Sequence, residues 1–451
     1  MKQKTDILSG SVFKGLLFMT IPIMVMNVFQ SLFTIIDMTV LGIMVDDDAV
    51  GAVGSSGMLI TLTTGFLIGI ATGSTVTAAR HISRNETENL NKAVGTSVCF
   101  ALISGIALMI FGLFSAETLL VWINCPESLL ADATLYFKIY FIAVPFILLY
   151  NFCASILRAN GNTKKPMRYL MIGGAVKVIC NISITALFDV TVQGVAIATI
   201  ISNMVSSSLA LRALIKGDGI VRFNFRHFRI YVKELKQILY IGIPAGIQAG
   251  LYSLANTIIS ATVNTFGAAA TKGIAIANQF DGALYQISIA PSLATVSYVS
   301  QNVAVGNIKR AKESILKSII ITVMFGATFG SLSAIFSGQL SGIMSPDPEV
   351  IAFSMQKMIL ISSTYFICGI NEITCSTLRG MNKPIIPMIS TFIYMCALRF
   401  VWVYVIFPLC PNLTFLYLVW PIGWVLSITT NLLFFFPAIK KLEKKLVKTP
   451  I

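Results

Sequence analysis

Charged residues are scarce in this 451-residue chain. Asp, Glu, Lys and Arg make up 12% of it, which is about half of what a soluble globular protein carries. Only two histidines occur, His81 and His227, and no HExxH, Walker A or G-x-S-x-G motif is present. These absences weigh against a zinc protease, an ATPase and a serine hydrolase. The eight cysteines show no metal-ligand or disulfide-framework spacing.

The chain is instead rich in apolar residues. Hydrophobic residues make up 56% of the chain, and its mean hydropathy is +0.82. Twelve stretches reach the roughly 20 apolar residues that a membrane-spanning helix needs. The predicted spans are residues 13–44, 49–79, 93–114, 132–157, 167–188, 191–214, 237–266, 272–299, 313–340, 350–378, 385–409 and 413–437.

Nearly all positive charge lies in the two termini and in alternate gaps between these stretches. The two termini and the gaps after spans 2, 4, 6, 8 and 10, together with the span ends that border them, hold 28 of the 33 Lys and Arg residues, whereas other gaps are acidic, as at Asp46-Asp47-Asp48. This pattern follows the positive-inside rule and predicts a multi-pass membrane protein with both termini in the cytoplasm. The net charge of +14 therefore indicates orientation and contact with anionic lipid rather than nucleic-acid binding. Transport is the leading class of function.

The two halves of the chain resemble each other. Ile21-Pro22 recurs as Ile243-Pro244 after 222 residues, and Leu157-Arg158 recurs as Leu378-Arg379 after 221. Because six spans return a chain to its starting side, the repeats are predicted to be parallel in the membrane. The predicted fold is an all-α integral membrane protein of twelve transmembrane helices in two parallel six-helix repeats. Its predicted segments are an N-terminal lobe (1–214), a cytoplasmic linker (215–236), a C-terminal lobe (237–437) and a basic cytoplasmic tail (438–451).

Three segments carry a resemblance to a known family. The first span from Ile21-Pro22 to Asp37, the loop 157–167 (LRANGNTKKPM) and its partial repeat at 378–380 (LRG) are similar to motifs of the multidrug and toxic compound extrusion (MATE) transporters, of a bacterial, DinF-like or related branch. The resemblance implies a two-lobed fold in the bacterial cytoplasmic membrane. It also implies a monomer that exports organic cations and other amphiphiles, xenobiotics included, in exchange for H⁺ or Na⁺.

Five ionisable residues are predicted to lie well inside spans: Asp37, Lys177, Asp281, Glu372 and Arg399. A charge at the centre of the bilayer costs at least about 2.5–3.5 kcal/mol on insertion scales, so such residues are candidates for function.

Asp37, Asn181 and Thr199 are predicted at a similar depth, outward of the midpoints of spans 1, 5 and 6. The resemblance implies that they form the coupling-ion site, which would take a proton or Na⁺. Two structural alternatives stay open. Asp37 would then only bond a neighbouring helix, and Thr199 would bond the backbone of its own helix, as threonine often does in membranes.

The fifth span departs from the family pattern. Relatives often have Asn-x-x-x-Asp there, whereas Asn181 is followed four residues later by Thr185. One carboxylate holds Na⁺ less strongly than two. Lys177 lies one turn before Asn181 on the same face, and near Asp37 it would weaken cation binding further. These residues favour H⁺ over Na⁺ as the coupling ion, and no other cofactor is expected.

In the second lobe, Glu372 occupies the repeat position of Asn151, and Asp281 lies on span 8. The resemblance implies that acids on spans 7, 8 and 10 bind cationic substrate or exchange protons; span 7 offers Asn256 instead. The alternative is a buried, structural ion pair of either acid with Arg399. Arg399 itself resembles an arginine of the family and is interpreted as structural or gating.

Other functions remain open. A lipid-linked oligosaccharide flippase of the same superfamily usually has fourteen spans or a strongly basic central cavity, so three acids against two bases favour drug export. Lys177 and Arg399 leave the export of organic anions open. A membrane-embedded enzyme would need a reactive constellation such as paired histidines, and none is visible.

Overall fold

The computed structural model describes residues 5–45, 47–188, 192–217 and 220–448, and these ranges are helical, without a β-strand. The outermost terminal residues, to which the predicted cytoplasmic placement applies, and Asp46 lie outside this description. The α-helices are α1 Val12–Met44, α2 Asp47–Ser83, α3 Thr87–Trp122, α4 Glu127–Ala159, α5 Lys164–Phe188, α6 Val192–Lys216, α7 Val232–Asn264, α8 Ala268–Ala304, α9 Ile308–Ile335, α10 Ser337–Met344, α11 Pro348–Gly380, α12 Ile385–Thr391, α13 Leu398–Val401, α14 Leu413–Tyr417 and α15 Val419–Lys448.

Eleven helical segments in the described ranges are long and apolar enough to cross a bilayer. The twelfth predicted span lies in α8, which has 37 residues but is more polar because it contains Asp281 and a series of Ser, Thr and Gln side chains. Helices suit these segments because each backbone polar group in hydrocarbon must find a partner within the protein, and a helix supplies it within one segment. A helix of 33 residues, such as α1, is about 50 Å long and exceeds the roughly 30 Å hydrocarbon core. The all-α fold of twelve long helices is confirmed.

Residue contacts divide the chain into two compact units. Unit 1 contains Thr5 and Val28–Gly246, and unit 2 contains Asp6–Asn27 and the chain from Ile247 onward. The first part of α1 therefore belongs to unit 2, and the first part of α7 belongs to unit 1. The sequence-based lobes, 1–214 and 237–437, follow the order of the chain and do not contain this exchange.

An arginine explains why the amino-terminal segment belongs to unit 2. The guanidinium group of Arg310 on α9 donates hydrogen bonds to the backbone oxygens of Ile7, Ser9 and Gly10, at 3.0, 2.5 and 2.9 Å. Arginine suits this position because its rigid, planar head presents several donors at once. The turn that leads into α1 is thereby fixed to α9.

Two backbone turns repeat at an interval of 221 residues. Gly161 and Asn382 both have positive φ angles, +75° and +65°, and so do Asn85 and Gly306, at +55° and +76°. Glycine and asparagine are the residues that adopt this left-handed conformation most easily. The two halves thus keep the same turns while exchanging one tolerant residue for the other, which supports an internal duplication.

The helix that runs from α12 to Leu409 contains two π-helical turns, Phe392–Ala397 and Trp402–Ile406. A π turn closes i→i+5 bonds and so holds one residue more than an α-helical turn. Lys177 lies 11 residues after Pro166, and Arg399 lies 12 residues after the repeated Pro387. The extra residue of the first π turn therefore brings Arg399 to the helix position that Lys177 has in α5.

Helix α2 and the first part of α7 cross in unit 1 with their backbones in contact. A Cβ atom added to Gly73 would lie 2.0 Å from the backbone oxygen of Ile238, and one added to Gly69 would lie 2.5 Å from the Cα atom of Gly246. The Gly-rich run that starts at Gly69 predicts such a close approach, because small residues let membrane helices pack tightly.

We expect Gly73→Ala to destabilise the protein by about 1–3 kcal/mol, the usual cost of overpacking. The clash is with backbone, so no side-chain rotation relieves it. Thermal unfolding in detergent measures the effect, and Gly54→Ala on the same helix is the matched control, because no atom lies within 4 Å of its added Cβ. Equal melting temperatures for the two variants would contradict the observed packing.

Candidate functional site

Three of the predicted site residues meet in unit 1. The Asp37 carboxylate on α1 accepts a hydrogen bond from the Lys177 ammonium group at 2.5 Å and another from the Asn181 side-chain amide at 2.6 Å. Lys177 and Asn181 are four residues apart on α5, so they lie on one face of that helix. Asp37 is only 7% exposed. Both carboxylate oxygens thus have a donor, and the ion pair is neutral as a whole.

The two threonines predicted for this site are buried but make different contacts. The Thr199 hydroxyl donates to the backbone oxygen of Val195 on its own helix at 3.0 Å, as the structural alternative predicts. The Thr185 hydroxyl and the side-chain oxygen of Asn181 have no hydrogen-bond partner in the described part of the protein. These two oxygens lie one helical turn apart and remain available to water or a ligand.

In unit 2, Asp281 on α8 forms an ion pair with Lys357 on α11, at 2.8 Å. Lys357 also donates to the side-chain oxygen of Asn278. Sequence analysis did not include Lys357 among the intramembrane charges, because it lies near the outer end of the predicted span 350–378. Its presence as a lone lysine in that apolar span was the signal that could have identified it.

Glu372 belongs to a separate hydrogen-bonded group. Its carboxylate accepts a hydrogen bond from the Tyr252 hydroxyl at 3.1 Å, and that hydroxyl accepts one from the Asn371 amide at 3.1 Å. The carboxylates of Glu372 and Asp281 make no ion pair with Arg399 among the described residues. The alternative that pairs either acid with Arg399 is therefore wrong.

Arg399 is 1% exposed and lacks a carboxylate partner in the described ranges. Its guanidinium group donates to the side-chain oxygen of Asn256 on α7 at 2.7 Å. The guanidinium carbon lies 5.0 Å from the centre of the Trp420 ring, and the Lys357 ammonium group lies 5.7 Å from the same centre. Both distances are within the range of a cation–π interaction.

Corresponding helices of the two repeats therefore make different contacts in the two units. In unit 1 a base on the fifth helix of the repeat contacts a carboxylate on the first helix, as Lys177 contacts Asp37. In unit 2 the corresponding base, Arg399, contacts the neutral amide of Asn256. The first arrangement pairs two opposite charges, whereas Arg399 makes no ion pair among the residues that the structure describes.

Comparison with known proteins assigns the chain to a protein family. The sequence profile of the MatE family matches residues 22–187 and 244–405, one match in each half. The probable multidrug resistance protein YoeA of Bacillus subtilis (strain 168) is 26% identical over 85% of this chain and 84% of its own length. A FAD transporter of Shewanella oneidensis is 23% identical over 88% of each chain.

A solved structure shows the same fold. The crystal structure of a MATE protein in complex with MaL6 matches with a TM-score of 0.91 at 19% identity, covering 98% of this chain and 100% of its own. Together with the profile matches and the apolar spans, this makes the protein a multi-pass membrane protein. The chain belongs to the MatE family of multidrug efflux transporters, and it is a transporter rather than an enzyme.

Proposed function

We propose that this protein is an antiporter of the bacterial cytoplasmic membrane that exports amphiphilic, mostly cationic compounds in exchange for H⁺ by alternating access. The observation that carries the proposal is the buried group of Asp37, Lys177 and Asn181. A carboxylate buried in a membrane protein is retained at a cost, and proton or ion exchange is the usual reason. Both termini would lie in the cytoplasm, the protein would act as a monomer in contact with lipid, and neither a cofactor nor a nucleic acid would take part.

The ion pair supports H⁺ rather than Na⁺ as the coupling ion. The Lys177 ammonium group occupies the place beside Asp37 that a bound cation would need, and Na⁺ there would meet a like charge within a few ångströms. A proton avoids this conflict because it neutralises the carboxylate itself and releases Lys177 from the pair. Asp37 would therefore exist in two states, ionised and paired with Lys177 or protonated and unpaired. Each state can favour a different conformation of the protein.

The acids of unit 2 are proposed to serve the substrate or a second proton. Glu372 is buried and bonded to Tyr252, whose hydroxyl can donate to the ionised carboxylate. Asp281 has one oxygen in the pair with Lys357, while its other oxygen has no partner in the described ranges. Asn256 and Arg399 complete the polar groups proposed for substrate contact in this unit.

Export of organic anions is the second candidate. The FAD transporter of Shewanella oneidensis is among the relatives of this chain, and Arg399 is a buried cation whose bonded acceptor is uncharged. Anionic and cationic substrates can be told apart by the sign of the transported dye.

Reconstituted vesicles test the proposal. The purified full-length protein in proteoliposomes should move a cationic dye such as ethidium when a pH gradient is imposed, and not when a Na⁺ gradient is imposed alone. Protein-free liposomes under the same gradients control for leakage. Dye movement driven by Na⁺ alone would overturn H⁺ coupling, and no dye movement under either gradient would overturn cation export.

A further inference from the structure

We propose that Arg399 and Lys357 form an anion-binding subsite in unit 2 that receives the carboxylate of an aromatic amphiphile. The inference rests on the proposed export function, because it names an acidic group on the exported compound. It also applies to compounds that carry a cationic group elsewhere, since one subsite binds only one end of an amphiphile.

The first argument is charge. Arg399 and Lys357 both lie close to the Trp420 ring, so their charged groups are no farther apart than the sum of their two distances to its centre. Asp281 is paired with Lys357 and Glu372 is bonded to Tyr252, so Arg399 makes no ion pair with a carboxylate in the described ranges. A buried charge without a counter-charge is expensive in a membrane. A bound anion would supply Arg399 with a direct counter-charge.

The second argument is the unused donors. A guanidinium group has five N–H donors, yet the Nε atom of Arg399 is buried without a partner in the described ranges. The arrangement in unit 1 shows what completes such a site, because there the corresponding base contacts a carboxylate. In unit 2 the amide oxygen of Asn256 takes the place of that carboxylate. The guanidinium group of Arg399 therefore still has an N–H donor for a second acceptor.

The third argument is access. Both buried cations are bonded to exposed amides: Arg399 to Asn256 and Lys357 to Asn278. Trp420 is half-buried. A carboxylate carries a full negative charge that an amide oxygen lacks, so it binds a guanidinium or ammonium group more strongly than the amide does and can replace the amide oxygen on either cation. Each cation thus has one neutral amide acceptor, on an exposed side chain, that a carboxylate ligand can replace.

The aromatic preference follows from the surrounding side chains. The apolar cluster around Trp420 contains several further aromatic residues: Tyr252, Tyr285, Tyr365, Tyr394, Trp402 and Trp424. Aromatic rings pack favourably against such side chains beyond their simple burial. The two cations therefore lie beside a cluster that is rich in aromatic side chains.

Equilibrium binding of a matched pair of dyes tests the proposal. Dansylglycine carries a carboxylate, and dansylamide is its neutral counterpart with the same fluorophore. We expect the full-length protein, in nanodiscs of zwitterionic lipid, to bind dansylglycine at least tenfold more tightly than dansylamide. Equal affinities for the two dyes would overturn the proposal whatever the variants show.

Variants then locate the site. Arg399→Gln removes the cation, and Asn256→Asp supplies an internal carboxylate that competes with the ligand and recreates the arrangement of unit 1. Both should bring the ratio of affinities close to one, whereas Lys309→Gln, which removes an exposed cation of the same unit, should leave it unchanged. A tenfold preference that survives Asn256→Asp would overturn the assignment even if Arg399→Gln fails to fold.

Two further results distinguish this proposal from lipid binding at the same site and from the proposed antiport. Displacement of dansylglycine by anionic lipid added to the nanodiscs would assign the site to a lipid headgroup and overturn the assignment to an exported compound. The binding assay needs no gradient, so a failure of gradient-driven dye export would count against the proposed antiport and not against this site.

Discussion

Replacing Asp37 by asparagine is expected to reduce gradient-driven export of a cationic dye to the level of protein-free liposomes. Asparagine has nearly the same shape and can still accept a hydrogen bond from Lys177 or Asn181. Because the change leaves Lys177 without its counter-charge, export is compared at equal amounts of folded protein, with folding checked by thermal unfolding. It cannot take up and release a proton, and proton exchange at this carboxylate is the proposed source of coupling. Initial rates of dye movement in proteoliposomes under an imposed pH gradient measure the effect.

The control for Asp37→Asn is another carboxylate-to-amide change. Glu443 forms an exposed ion pair with Lys312, and exposed pairs contribute little to stability, so Glu443→Gln should export dye at the wild-type rate. Wild-type export by Asp37→Asn would show that coupling does not pass through this residue. Glu372 and Asp281 would then be the carboxylates to change next.

Replacing Lys177 by methionine is expected to produce the largest loss of stability and a change of ion dependence. Removing one partner of a buried ion pair typically costs about 3–5 kcal/mol, because the remaining charge is left uncompensated. The same change frees Asp37, Asn181 and Thr185 to coordinate a cation with oxygen atoms, which are the ligands that hard cations prefer. We therefore expect Na⁺ to raise the melting temperature of Lys177→Met but not that of the wild type.

A double variant separates the two effects of Lys177→Met. Asp37→Asn combined with Lys177→Met removes both charges, so it should be more stable than Lys177→Met alone, and the difference gives the coupling between the two residues. A melting temperature of Lys177→Met equal to that of the wild type would contradict a buried ion pair. A Na⁺ effect that persists in the double variant would show that Na⁺ binds elsewhere.

The geometry of unit 1 could be predicted in large part from the sequence. The spacing of Lys177, Asn181 and Thr185 places them on one face of α5, because residues four apart on a helix are neighbours. The position of Asp37 within its span indicates a similar depth. The hydroxyl of Thr199 could not be assigned, since a threonine in a helix has its own backbone as a competing acceptor.

The partners of the unit 2 charges could not be predicted. Which side chains meet across two helices depends on how each helix is rotated about its axis, and a single sequence does not contain that angle. The pairing of Asp281 with Lys357 is one result of that rotation. The π turn before Arg399 is another, because one extra residue in a helix turns everything after it.

The repeated turns show a second limit of prediction from the sequence. Asn85 and Gly306 have the same left-handed backbone, but a comparison of residue identities finds no match there. Only the shared conformational tolerance of asparagine and glycine relates the two positions. A duplication can thus remain visible in the backbone conformation after the residue identities have diverged.

The exchange of helix segments between the two units has a consequence for synthesis at the ribosome. The segment Asp6–Asn27 is made first, yet the rest of its unit begins at Ile247. At roughly 5–20 residues per second, the intervening 219 residues take about 10–45 s to synthesise. Unit 1 likewise waits for the start of α7 before it is complete. The earliest helical segment of the chain must therefore remain in lipid without its final neighbours while a whole unit is built after it.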